Sequence, residues 1–88
     1  LLGSPAYMAP EYIEGYATDE RADIFSFGAM LYYLVVGRLP FEAPSPHALL
    51  KRIAAGEYPL PQQNNPQTHA ALSRILVRCL KRLPEQRY

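Results

Sequence analysis

Between Arg21 and Val36 the residues Ala22, Ile24, Phe25, Phe27, Ala29, Met30, Leu31, Tyr32, Tyr33, Leu34, Val35 and Val36 leave a helix no polar face. A strand is the competing assignment, because Ile, Val, Phe and Tyr favour sheets. The length of the run and its Ala, Met and Leu content decide for a helix. The run falls short of the roughly 20 residues a membrane span needs, so it is expected as a central core helix, buried on every side. Asp19 and Glu20 near its start suit the positive end of the helix dipole, and Gly37 is placed to cap its end.

Such a helix needs cover, and the rest of the sequence supplies little. Leu1 to Pro10, with Gly3, Pro5 and Pro10, predicts an extended loop. Pro10 followed by Glu11, Tyr12, Ile13 and Glu14 predicts one short helical turn ended by Gly15. Ser45-Pro46 is a helix start with a hydroxyl cap and a proline in the first turn. Leu49, Leu50, Ile53 and Ala54 form its stripe, and Gly56 ends it. Tyr58 to Pro66 is expected to be irregular. Asn65-Pro66 is expected to open a last helix, in which Leu72, Ile75, Leu76, Cys79, Leu80 and Leu83 share one face while Arg74, Arg78, Lys81 and Arg82 largely occupy the other. Two one-faced helices cannot enclose a helix that is apolar all round. Part of the surrounding structure is therefore expected outside these 88 residues, and a first residue that is Leu1 rather than methionine favours a fragment.

Charge and cysteine content remove several function classes. A net charge of +1 lacks the excess of Lys and Arg that nucleic-acid or membrane-surface binding requires, so neither partner is expected. One cysteine forms no internal disulfide framework, and His47 and His69 lie far apart without a zinc spacing. No signal peptide is expected from the opening residues, and a reducing, cytoplasmic setting fits best. Cys79 lies on an apolar face with no base nearby, so it is expected in the core; both histidines are expected at the surface.

Four sequence elements go further. Gly3-Ser4-Pro5-Ala6-Tyr7-Met8-Ala9-Pro10-Glu11 resembles the end of the activation segment of eukaryotic-type serine/threonine protein kinases, which closes on Ala-Pro-Glu. Asp23-Ile24-Phe25-Ser26-Phe27-Gly28 is similar to the element that begins the buried helix of that family's C-terminal lobe. Gly37-Arg38-Leu39-Pro40-Phe41 matches the loop after it, and Leu83-Pro84-Glu85-Gln86-Arg87 the arginine-bearing turn near the lobe's end. The four stand in the family's order and cover essentially the whole chain, with wording closer to bacterial members than to animal ones.

The resemblance implies a mostly α fold: a partial protein-kinase-like C-terminal lobe. It would comprise the end of the activation segment, a short helix, the buried central helix and two amphipathic helices. As a domain, residues 1–88 would run from the activation segment to the turn after the penultimate helical segment, with the N-lobe and catalytic loop upstream. Ser4 would be the hydroxyl that contacts the catalytic aspartate and lysine, which favours Ser or Thr as acceptor. Pro5, Ala6, Tyr7 and Met8 would line the pocket for the substrate residue after the acceptor. Glu11 and Arg87 would form a bidentate ion pair joining the two ends of the region. Asp23 would accept hydrogen bonds from the catalytic loop, or act simply as a carboxylate at a helix start. Phe25 stands where the family usually has tryptophan.

The resemblance also implies ATP and Mg2+ as cofactors of the parent kinase and proteins as its substrates. Phosphoryl transfer uses a glycine-rich loop, a strand lysine, the His-Arg-Asp loop and the Asp-Phe-Gly aspartate, and none of these is among the 88 residues. This chain alone is therefore expected to bind no cofactor and to be inactive. A pseudokinase scaffold or regulatory binding lobe is the alternative reading, and a free-standing helical interaction module the third.

Overall fold

The computed structural model describes residues 5–88. Five helices carry the fold: α1 (Pro10–Ile13), α2 (Glu20–Val36), α3 (Pro46–Ala55), α4 (Pro61–Asn64) and α5 (Ala70–Cys79), with single 3-10 turns at Pro5–Tyr7 and Pro84–Gln86. No strand occurs among the described residues.

Local chemistry explains the ends of α2. The Asp19 side chain accepts the backbone N–H of Arg21 at 2.9 Å and so serves one of the donors left free at a helix start. Hydrogen bonds from Arg21 hold the Asp19 carboxyl below the usual aspartate range. At the other end Gly37 adopts φ 87°, a left-handed conformation that costs glycine little, and its N–H returns to the Tyr33 carbonyl. In α3 the Ser45 hydroxyl accepts from the Ala48 N–H at 3.2 Å, and Pro46 occupies the first turn.

The core lies between α2 and the elements that wrap one side of it. Phe25, Ala29, Tyr32 and Val36 of α2 meet Ala9, Phe41, Ile53, Leu76 and Leu80. The Phe25 and Phe41 rings stack at 5.9 Å, and Tyr58 packs edge-on against Phe41 at 5.4 Å and Tyr32 at 6.1 Å. Burial pushes the Tyr58 phenol up to about 12. Polar tethers finish the side nearest α4. The Tyr32 hydroxyl donates to the Pro59 carbonyl and accepts from Asn64 Nδ2, while Asn65 Nδ2 donates to the Val35 carbonyl at 3.1 Å. At the α2–α5 crossing, a β-carbon added to Gly28 would come within 2.5 Å of Cys79 Cβ.

On α2 Phe27 is 52% and Leu34 68% exposed, and Tyr33 is also exposed, the incomplete cover expected where only two one-faced helices accompany a helix that is apolar all round. Several other expectations need correction. The last helix begins at Ala70, not at Asn65-Pro66, because the His69 imidazole Nδ1 accepts the Ala71 N–H and caps it there. Residues 61–64, expected to be irregular, form α4, whose start is closed by the Gln63 side chain accepting the Leu60 N–H at 2.6 Å. The last helix ends at Cys79, so Leu83 lies beyond it and is exposed; on the helix itself Leu72, Leu76 and Cys79 pack inward while Ile75 is exposed. Pro5–Tyr7 is a 3-10 turn closed by the Met8 N–H on the Pro5 carbonyl at 3.2 Å, not extended chain.

Candidate functional site

Of the residues expected to contact substrate, Ser4 lies outside the described residues. Pro5, Ala6, Tyr7 and Met8 follow it in the 3-10 turn and its exit. Ala6 is buried, whereas Pro5, Tyr7 and Met8 remain partly accessible. The turn is fixed from below, since Ser26 Oγ of α2 donates to the Tyr7 carbonyl at 2.6 Å. Ser26 thereby satisfies a backbone acceptor of a segment 19 residues earlier in the chain. Helices α2 and α3 both pack on this turn, and α3 also packs on α1.

Two residues beyond Met8, Pro10 begins α1, which presents Glu11 to the interior. Arg87, 3% exposed, lies against it: Nη1 donates to Glu11 Oε2 at 2.8 Å and Nη2 to Oε1 at 2.9 Å. The remaining guanidinium donors reach the carbonyls of Arg21 at 2.8 Å, Arg82 at 3.1 Å and Lys81 at 2.8 Å. All five N–H groups of the guanidinium are thus used, and its Cζ lies 4.9 Å from the Phe25 ring centroid. Burial raises the Glu11 carboxyl, but the hydrogen bonds and charge of Arg87 outweigh it and hold the group below the ordinary glutamate value.

Asp23 is exposed in the first turn of α2, where its carboxylate complements the helix dipole. Cys79 is buried, and burial pushes its thiol up, away from the thiolate a nucleophile needs. Gly15, Gly37 and Gly56 sit at positive φ where helices end, Gly28 is packed against α5, and no three metal-ligating side chains gather among the described residues. A cleft of about 330 Å³ opens between the α1–α2 loop and the turn at Pro84, lined by Glu11, Glu14, Tyr16, Arg82 and Leu83, and lies apart from Pro5–Met8.

The protein kinase domain family matches residues 1–88 of this sequence, and with them the whole chain. The chain belongs to the protein kinase family. Its relatives include the serine/threonine-protein kinase PksC of Streptomyces coelicolor, 36% identical over 88 residues, which are 100% of this chain and 16% of that protein. Serine/threonine-protein kinase Pkn1 of Myxococcus xanthus is 39% identical over 88 residues, 100% of this chain and 13% of its own length. Tribbles homolog 1 of Homo sapiens is 39% identical over 88 residues, covering 97% of this chain and 22% of that protein. The chain therefore spans less than a quarter of the length of these relatives.

Within a kinase domain, an all-helical arrangement around a long central helix is the partial C-terminal lobe that the sequence pattern implied. No helix of the described residues is long and apolar enough to cross a membrane.

Sequence reasoning missed Arg82. The helical period puts it on the solvated side with Arg74 and Arg78, yet it lies beyond the end of α5, and its Nε donates to the Ala54 carbonyl at 2.8 Å while its Nη2 approaches Glu14 Oε2 at 3.4 Å. Both partners are remote in sequence, so no local pattern announces them. Arg78 similarly lies over the Tyr88 ring, 4.3 Å from its centroid.

Proposed function

We propose that this chain is part of a protein serine/threonine kinase that transfers the γ-phosphoryl group of ATP to Ser or Thr of protein substrates. Within it, Ser4, Pro5, Ala6, Tyr7 and Met8 serve as the substrate-pocket segment, and the helices serve as the platform beneath the catalytic loop. The observation that carries this reading is the anchoring of that short segment. Ser26 holds it from α2, α3 packs beside it, and the Glu11–Arg87 pair fixes the helix that follows.

A segment held on three sides presents a substrate hydroxyl in one geometry, and positioning of this kind is what phosphoryl transfer demands of a protein. ATP, with Mg2+, supplies the transferable phosphoryl group. The role of residues 5–88 is to orient the protein substrate and support the loop that bears the base. The domain works in the cytoplasm, and this segment contacts neither membrane nor nucleic acid.

The test is a phosphotransfer assay on the complete domain with labelled ATP and peptides that differ only in Ser, Thr or Tyr at the acceptor. Label on Ser and Thr but not Tyr is expected; no label on any, in a folded domain, would remove the enzyme reading. Residues 1–88 alone are expected to be inactive.

The second reading is a pseudokinase scaffold. Glu11, Arg87 and Asp23 secure the fold rather than the chemistry, and one relative of equal identity, Tribbles homolog 1, carries no mention of a kinase in its name. A domain that binds protein partners but transfers no label would establish it.

A further inference from the structure

The backbone of residue 82 is tied to the buried hub, because its carbonyl accepts from Arg87 Nη2 at 3.1 Å. Its side chain runs the other way. The stem passes the C-cap of α3, where a β-carbon on Gly56 would lie 3.7 Å from Arg82 Cβ. The guanidinium then reaches two elements at once. Nε donates at 2.8 Å to the carbonyl of Ala54, in the last turn of α3, where Gly56 N–H already serves Arg52 and Ile53. A carbonyl there has no partner within its own helix, and a cation at this end also complements the dipole. Nη2 meets Glu14, the residue that caps α1.

This clasp differs in kind from the Glu11–Arg87 pair. Both side chains are part-exposed, 47% for Arg82 and 33% for Glu14, so it adds little to global stability. What it fixes is the spacing between the end of α3 and the end of α1. Those two helices pack on each other, α3 also flanks the Pro5–Tyr7 turn, and α1 starts two residues after Met8. If α3 shifts, one wall of that segment shifts with it.

We propose that Arg82 is a positioning residue that clasps α3 to the end of α1 and thereby sets the affinity of the Pro5–Met8 segment for protein substrate. The inference rests on the substrate-pocket reading above. It is tested in the complete kinase domain with Arg82→Met, Arg82→Lys and Glu14→Gln, using myelin basic protein and ATP varied separately. Arg82→Met raises the KM for the protein substrate about five-fold, the effect of losing one to two hydrogen bonds, and leaves kcat and the KM for ATP within about two-fold.

Arg82→Lys keeps the charge and the stem but has one nitrogen for two acceptors, so its protein-substrate KM falls between wild type and Arg82→Met. Glu14→Gln breaks one arm only and gives a smaller rise in the same parameter. Should Arg82→Met fail to fold, the lysine and glutamine variants carry the test. An unmoved protein-substrate KM, or kcat and both KM values changing together, overturns the inference. A wild-type domain that is active while the variants are unaffected sinks this inference alone, whereas an inactive wild-type domain sinks the substrate-pocket reading and this inference with it.

Discussion

A β-carbon built on Gly28 would stand 2.5 Å from Cβ of Cys79, so at this glycine the backbone of α2 approaches α5 too closely to admit a side chain. The close approach lets Leu76 and Leu80 reach the Phe25–Tyr32 side of α2, and a larger residue would force the two helices apart.

Gly28→Ala is accordingly expected to destabilise the complete domain by about 1 to 3 kcal/mol, the usual range for overpacking. Cys79→Ala should not relieve the strain, because the colliding atom is Cβ, whereas Cys79→Gly should relieve part of it. Thermal melts of the single and double variants check both statements; equal melting of Gly28→Ala and wild type would remove the close-approach argument.

Removing one member of the Glu11–Arg87 pair leaves a buried charge without its partner. Glu11→Ala should cost about 3 to 5 kcal/mol, and Glu11→Gln less, since an amide still accepts a hydrogen bond. Denaturant unfolding of the complete domain measures this, and an unchanged midpoint would mean that the pair contributes nothing.

The same pair makes a pH prediction. The Glu11 carboxyl titrates lower in the folded protein than in the unfolded chain. Its contribution to stability is therefore complete above the ordinary glutamate range and is lost as the pH falls through the depressed folded value. Urea midpoints followed from neutral to acid pH should drop there in wild type and show a shallower drop in Glu11→Gln.

Tyr32→Phe should cost about 1 to 3 kcal/mol, because the Pro59 carbonyl and the Asn64 amide lose their common partner inside the fold. Faster amide hydrogen exchange confined to residues 58–65 would mark a local loosening; exchange unchanged there would place the Tyr32 hydroxyl outside the set of tethers.

Residues 1–88 by themselves should bind a hydrophobic dye, because Phe27, Tyr33 and Leu34 lie exposed along α2. Replacing Phe27 and Leu34 with serine should lower the fluorescence without changing helix content. A sharp melt with no dye signal in the unmodified chain would contradict this.

Features with a local cause were legible in the sequence. The ends of α3, for instance, follow from Ser45, Pro46 and Gly56, whose chemistry acts within a single turn. The start of α5 was not, because a histidine ring standing in for a hydroxyl cap is uncommon and the pull of Asn65-Pro66 is strong. Periodicity groups Leu72, Leu76, Cys79 and Leu80 correctly, but it does not show that the helix stops at Cys79, short of Leu83, nor that the neighbours leave Ile75 uncovered. For α2 the composition was uniform around the helix, so the sequence held no information about which side the described residues cover. Around the candidate site, Glu11 and Arg87 could be named from motifs at either end of the chain. The reach of Arg82 to Ala54 and Glu14 could not, since it depends on how three separate segments are brought together.

The guanidinium of Arg87 and the carboxylate of Glu11 are 76 positions apart. During synthesis the earlier partner emerges first and waits through the translation of every helix from α2 to α5 before its counterpart appears. Until then the carboxylate has only water to satisfy it, and α1 cannot settle against the core without stranding it. A ribosome that stalls a few codons before position 87 would leave a nascent chain with α1 to α5 all encoded, α1 able to pack on α3, and the Glu11 carboxylate still without the guanidinium that allows its burial.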